Sequence, residues 1–166
     1  MSGQIQRDIP QPGQESVWDY PRPPRVERTS KRIRIMLNGV TIADSINAYR
    51  VLETSHPPVY YIPQRDLRME YVHRVEGGSF CEFKGAASYW TVKVDGVIRE
   101  RAAWSYGNPM QGFEAIRDYL AFYAGKMDAC YVDDELVKPQ EGDFYGGWIT
   151  SDIVGPFKGA PGTRGW

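Results

Sequence analysis

The chain has 166 residues, 42% of them hydrophobic and 25% charged, with a formal net charge of -1. This is the profile of one soluble globular domain, and it supplies no global field for drawing in nucleic acid or an anionic membrane. No apolar run reaches the roughly 18 residues of a membrane span, and the polar, proline-broken N-terminal stretch has no signal-peptide core, so the expectation is a cytoplasmic protein with no membrane partner.

Composition divides the chain into three parts. Residues 1–31 hold Pro10, Pro12, Pro21, Pro23 and Pro24 and are expected to run extended as an N-terminal arm. Val17, Trp18 and Tyr20 are costly to leave in water, so residues 16–26 are expected to lie across the core as a strap. The core is assigned to 32–138. Residues 139–166 interleave glycines such as Gly142, Gly146 and Gly147 with Phe144, Tyr145 and Trp148, which reads as an irregular C-terminal arm packed on that core.

Within the core the signals are mainly of strands. Ile33, Ile35 and Leu37 alternate up to Asn38-Gly39 and continue as Val40 and Ile42, a hairpin that places Leu37 opposite Val40 and Ile35 opposite Ile42. Further β runs are predicted at 59–62, 69–74, 79–83 and 130–132, with Gly77-Gly78-Ser79 as a turn between strands and a short helical turn at 64–69. Residues 89–94 and 97–104 form a second hairpin around Asp95-Gly96, expected to be bulged so that Val92 faces Ile98. One main helix is predicted at about 109–124: Asn108 caps it, Pro109 suits its first position, Phe113, Ile116, Leu120 and Tyr123 make its apolar stripe, and Gly125 stops it.

The chain has no C-x-x-C, H-E-x-x-H, P-loop or G-x-G-x-x-G motif. His56, His73, Cys81 and Cys130 make a Cys2His2 set only at unusual spacing, so no metal and no cofactor is expected, and both cysteines are read as thiols. The acidic group Asp128, Asp133, Asp134, Glu135, Glu141 and Asp143 lacks the glycine and spacing of a calcium loop and reads as a solvated turn. Three loops concentrate polar and aromatic groups: the rigid run from His56 to Pro63, Cys81 to Gly85, and Ala103 to Asn108. If they converge, His56, Tyr60, Cys81, Lys84, Tyr89, Trp90, Trp104 and Tyr106 line an aromatic cleft, with a helix N-terminus beside it, for a small polar or anionic ligand.

The run His56-Pro-Pro-Val-Tyr-Tyr-Ile-Pro63, Cys81-x-x-Lys84-Gly85 with Tyr89-Trp90, and Ala103-Trp104-Ser105-Tyr106 with Pro109 and Ala121-Phe122-Tyr123 resemble a bacterial family. It is domain of unknown function family 427, which carries a nucleotidyltransferase-like label. The arms look like a longer, cyanobacterial version. The resemblance implies a mainly β, α+β fold of the β-tent kind, two small antiparallel sheets leaning together. The family's fold is shared with a zinc-bearing methionine sulfoxide reductase class and with the ligand-binding domain of a ubiquitin-ligase substrate receptor. This chain lacks both C-x-x-C knuckles, so zinc and the reductase activity are not carried over. Nor is nucleotidyl transfer, because Asp133-x-Glu135 lies 54 positions after Ser79.

Three functional readings follow: a small-molecule-binding domain, an enzyme with Cys81 or His56 at the cleft, and an interaction protein that forms a homodimer through its arms. Nucleic-acid binding ranks last, since residues 1–34 carry seven basic against four acidic groups, which a solvated strap explains equally well.

Overall fold

A computed structural model describes residues 5–142 and 144–166. The chain is mainly β, with several small antiparallel sheets. The strands, in chain order, are β1 (Glu15–Ser16), β2 (Arg25–Arg28), β3 (Ile33–Leu37), β4 (Val40–Ser45), β5 (Tyr49–Leu52), β6 (Val59–Tyr61), β7 (Val72–Cys81), β8 (Gly85–Val94), β9 (Val97–Tyr106), β10 (Leu120–Phe122), β11 (Ala129–Val132), β12 (Glu135–Leu136), β13 (Lys138–Pro139), β14 (Trp148–Ile149) and β15 (Ile153–Val154). Among the described residues no helix is long and apolar enough to cross a membrane.

Strands β12-β11-β3-β4 form one sheet, β10-β9-β8-β7 a second and β2-β5-β6 a third. The second and third are joined where Ile62 and Leu120 exchange both backbone hydrogen bonds, at 2.8 and 2.9 Å. Side chains alternate across this joined surface, as the pleat requires. Tyr60, Ile62, Ala103, Leu120 and Phe122 enter the main core shared with Ile33, Ile35 and Leu37. Val51, Tyr61, Ala87, Trp104, Tyr106 and Ala121 face the other way and form a second cluster.

Both two-residue hairpin turns are present, with Asn38 and Gly39 at φ 49° and 77° and Asp95 and Gly96 at 45° and 87°. Positive φ at both positions is what a tight turn between twisted strands demands, and Asn, Asp and Gly tolerate it best. The registers differ from expectation. In the first hairpin Leu37 faces Val40, but a bulge moves Ile35 opposite Ala43 rather than Ile42, and both Ile42 and Ala43 are buried. In the second the turn is unbulged, so Val92 faces Arg99, not Ile98. The irregularity lies further along, where Arg101 takes φ 49° and its N–H bonds the Thr91 hydroxyl at 3.3 Å. Val92 stays fully buried and Ile98 is exposed, because the pleat turns neighbouring positions to opposite faces.

The predicted helix at 109–124 is absent. Gly112 at φ 96° and Asp118 at φ 62° interrupt the backbone, leaving one 3-10 turn at Glu114–Ile116, strand β10 and another 3-10 turn at Ala124–Lys126. The apolar spacing is satisfied in pieces: Phe113 and Ile116 pack in the second cluster, whereas Leu120 and Phe122 enter the main core. A short isolated helix gains little by itself, and the backbone bonds of β10 to β9 and to Ile62 win. Residues 64–69 hold the 3-10 turn Gln64–Asp66. Gly77-Gly78-Ser79 is no turn but part of β7, where the register shifts between Arg74 and Gly78 and Gly78 and Ser79 pair with Ser88 and Ala87.

The N-terminal segment packs on the sheets. Val17 is fully buried with Leu52 and Ile153, β1 pairs with β15 in parallel, and β2 is an edge strand on β5. Arg50, 13% exposed, ties this segment down through Glu15 and Glu27, and the Tyr20 hydroxyl donates to Glu15. Burial opposes ionisation of Glu15, but the hydrogen bond and charge of Arg50 and the bond from Tyr20 outweigh it and hold the carboxyl below its ordinary range.

A Cβ added at Gly78 would sit 2.1 Å from the Ala87 carbonyl oxygen across the β7–β8 pairing. Gly78→Ala is therefore expected to destabilise the protein by about 1–3 kcal/mol, the usual cost of overpacking. Urea unfolding checks this, and an unchanged midpoint would contradict the close strand approach.

Candidate functional site

The exposed side of the joined sheet is the floor of a cleft of about 410 Å³. On three strands the floor residues come at every second position, Val59 and Tyr61 from β6, Ala87 and Tyr89 from β8, Trp104 and Tyr106 from β9, while the end of β7 adds Ser79, Phe80 and Cys81. Cross-strand pairing sets Tyr89 beside Trp104 and Ala87 beside Tyr106, so the floor is a product of register. Residues 140–158 close it from the other side with Gln140, Phe144, Tyr145, Gly146 and Lys158.

Six of the eight candidate ligand residues border this one space: His56, Cys81, Lys84, Tyr89, Trp104 and Tyr106. Tyr60 and Trp90 do not. Each stands next to a floor residue on a strand and therefore points to the opposite face. Tyr60 packs against Trp148 with ring centroids 5.4 Å apart in the main core, and the Trp90 indole donates to Ser105 Oγ at 2.9 Å. The helix N-terminus expected beside the cleft is absent along with its helix. Tyr61 and Tyr123 were missed, although alternation from Val59 and Ala121 points to both. Gln140, Tyr145 and Lys158 lie in irregular chain, where no periodicity signals which way a side chain faces.

The floor is aromatic and closely packed. The Trp104 indole donates to the Tyr61 hydroxyl at 3.2 Å and its ring lies 4.6 Å from that of Tyr123. Tyr89 and Ser79 share a hydroxyl–hydroxyl bond of 2.8 Å. Burial pushes the phenols of Tyr61 and Tyr106 above the ordinary tyrosine value, so both remain protonated at neutral pH. Gly146 presses its backbone onto Trp104, since a Cβ there would come within 2.1 Å of the indole.

Polar groups gather at the end where His56 sits. Burial foremost, then the positive charges of Lys158, Arg22 and Lys84, lowers the His56 pKa to about 4, so the ring is neutral at pH 7. Gln140 selects its tautomer. The Gln140 Oε1 accepts from Gly147 N at 3.0 Å, so Nε2 is the end that donates to the Lys158 carbonyl at 2.7 Å and to His56 Nδ1 at 3.2 Å. The ring proton is then on Nε2, which faces Glu53 at 3.6 Å, and Arg22 approaches the same carboxylate at 3.8 Å.

The remaining candidates lie apart. Cys130 is buried in the main core, where burial raises its thiol pKa well above the ordinary value, and His73 is exposed on β7. Among the described residues no three His, Cys, Asp or Glu side chains group as metal ligands. Asp133 and Asp134 form the turn between β11 and β12, and the carboxylates of this region serve the fold. Asp133 accepts from Arg32 N, Asp134 pairs with Arg34, Asp128 accepts from Asn38 N, and Glu135 accepts from Ser151. Asp143 lies outside the described residues.

With the site in view, comparison with known proteins bears on it directly. The profile of a family described as a domain of unknown function, DUF427, matches residues 25–133. The chain belongs to the DUF427 family. The matched segment carries the sheet floor, His56, Cys81 and Lys84, whereas Gln140, Tyr145 and Lys158 fall beyond it. No curated protein matches the chain at a significant level.

His56 provides a pH test. Its folded-state pKa lies below the ordinary value of 6.5, so the unfolded chain takes up the proton first and acid favours unfolding. Stability is expected to fall as pH drops from about 6.5 to about 4, by roughly 3 kcal/mol at most from this group. Denaturant unfolding across that range should show a shallower decline in His56→Gln.

Proposed function

We propose that the cleft binds a small polar or anionic organic molecule. The observation that carries this reading is the convergence of Tyr61, Tyr89, Trp104, Tyr106 and Tyr123 with Lys84, Lys158 and a neutral His56 around one space of about 410 Å³. That volume is of the size that takes small ligands, and apolar walls with a few polar groups at one end are what fix a ligand's orientation. The β-tent arrangement belongs to the same reading: the β3–β4 and β8–β9 hairpins share the main core, and the cleft lies on the outer face of the second sheet.

Mass spectrometry of the native protein purified from its own host is expected to show a co-purifying small molecule. Trp104→Ala, which removes the middle of the floor, should lose it. Retention of the molecule by the folded variant would place binding elsewhere.

Cys81 supports a second reading, an enzyme acting at the cleft. Its half-buried thiol borders the cavity, in contrast to the core thiol of Cys130. Thiolate character governs such chemistry, so a maleimide probe should label Cys81 faster than Cys130 and a resident ligand should slow it. Equal slow labelling of both, with or without ligand, counts against a nucleophilic Cys81. The homodimer reading draws less support, because Val17, Tyr20 and Trp148 of the terminal segments are spent on their own chain.

A further inference from the structure

The polar end of the cleft is assembled across a chain junction. His56 and Lys84 belong to the family-matched segment, while Gln140 and Lys158 come from the C-terminal segment that follows it. Gln140, only 5% exposed, holds the two together by using its carbonyl oxygen on Gly147 and its amide nitrogen on both His56 and the Lys158 backbone. Lys158 N donates to the Ser55 carbonyl at 2.9 Å and Trp148 N to the Pro58 carbonyl at 2.8 Å, so the clamp is anchored on both sides of His56.

Lys84 and Lys158 are half-buried residues, and no side-chain carboxylate of the described residues lies within ion-pair distance of either. Lys158 Nζ lies over the Tyr145 ring at 5.7 Å and donates to the Trp166 backbone oxygen at 3.4 Å, a long bond. Among the described residues, the two acidic groups at the cleft do not fill the role of partner: Glu53 is occupied by Arg22 and faced by His56, and Glu82 is exposed. An ammonium at the lining of an aromatic-walled cleft interacts more strongly with an anion held there than the same group at an open surface. The positive surroundings of the neutral His56 ring are consistent with an excess of cation at this end.

We propose that the C-terminal segment completes the cleft as a receptor for an aromatic anion, in which Lys84 and Lys158 together hold a carboxylate or phosphate while the ring lies on Trp104 and Tyr123. Gln140 is the positioning residue: it fixes the Lys158 backbone and keeps the His56 proton on Nε2. This rests on the small-ligand reading above and narrows it to anions.

The test uses the full chain at constant ionic strength, with benzoate, phenyl phosphate and uncharged benzamide as probes and the Trp104 indole N–H and His56 ring signals as NMR reporters. Benzoate and phenyl phosphate should move both reporters and bind at least about tenfold tighter than benzamide, the usual scale for a charge-assisted hydrogen bond. Lys158→Gln and Lys84→Gln should each abolish that preference, bringing benzoate down to the level of benzamide. Gln140→Glu, which can only accept, should move the His56 proton to Nδ1, visible in the ring ¹⁵N shifts; a purely structural Gln140 leaves the tautomer as it was. Equal binding of benzoate and benzamide on the same reporters overturns the anion receptor and leaves the aromatic cleft standing. A benzoate preference that survives loss of both lysines also overturns it, and silence of both reporters to all three probes overturns the cleft reading with it.

Discussion

Two backbone hydrogen bonds between Ile62 and Leu120 make the site possible. They join a three-stranded sheet to a four-stranded one, and so extend a single pleated face from β5 to β7. Every aromatic residue on the floor owes its direction to that continuity. Where the pleat turns Trp104 and Tyr106 toward the cleft, it turns Ala103 and Ser105 away, and a slip of one residue would exchange the two sets. The small residues on the core side of β9 let the main core close tightly beneath a floor of large rings.

The second constraint is electrostatic. Lys84, Lys158 and Arg22 surround a histidine that burial has already discharged, so the ring contributes a neutral donor and no positive charge. A buried polar side chain must be fully satisfied to repay its desolvation, and Gln140 meets this with three bonds. Gly146 and Gly147 serve the same closure, because only a residue without a side chain can approach Trp104 and Pro57 as nearly as they do.

Much of this was legible in advance where a local rule governs. Asn38-Gly39 and Asp95-Gly96 announce their turns, since both positions need positive φ. The three loops that converge were recognisable by their aromatic and polar density. Tyr60 and Trp90 belong to the converging segments, but each neighbours a floor residue in sequence, and strands send neighbours to opposite faces. The stripe from Phe113 to Tyr123 has helical spacing, yet the chain breaks at Gly112 and Asp118 and lends Leu120–Phe122 to β9. The irregularities at Arg101 and between Arg74 and Gly78 are likewise set by how each strand pairs with its hairpin neighbour, not by residue type at the position.

By itself the sequence determined a mainly β fold with two tight hairpins, the family to which the chain belongs, and the side chains of which an aromatic cleft would be made. Those follow from period-two patterning, turn chemistry and residue type, all of which are local. Only the tertiary structure decided which face each ring occupies, that β10 is a strand, and that Gln140 and Lys158 complete the polar end. These depend on register and on contacts between segments up to a hundred residues apart, and no local preference is strong enough to specify them.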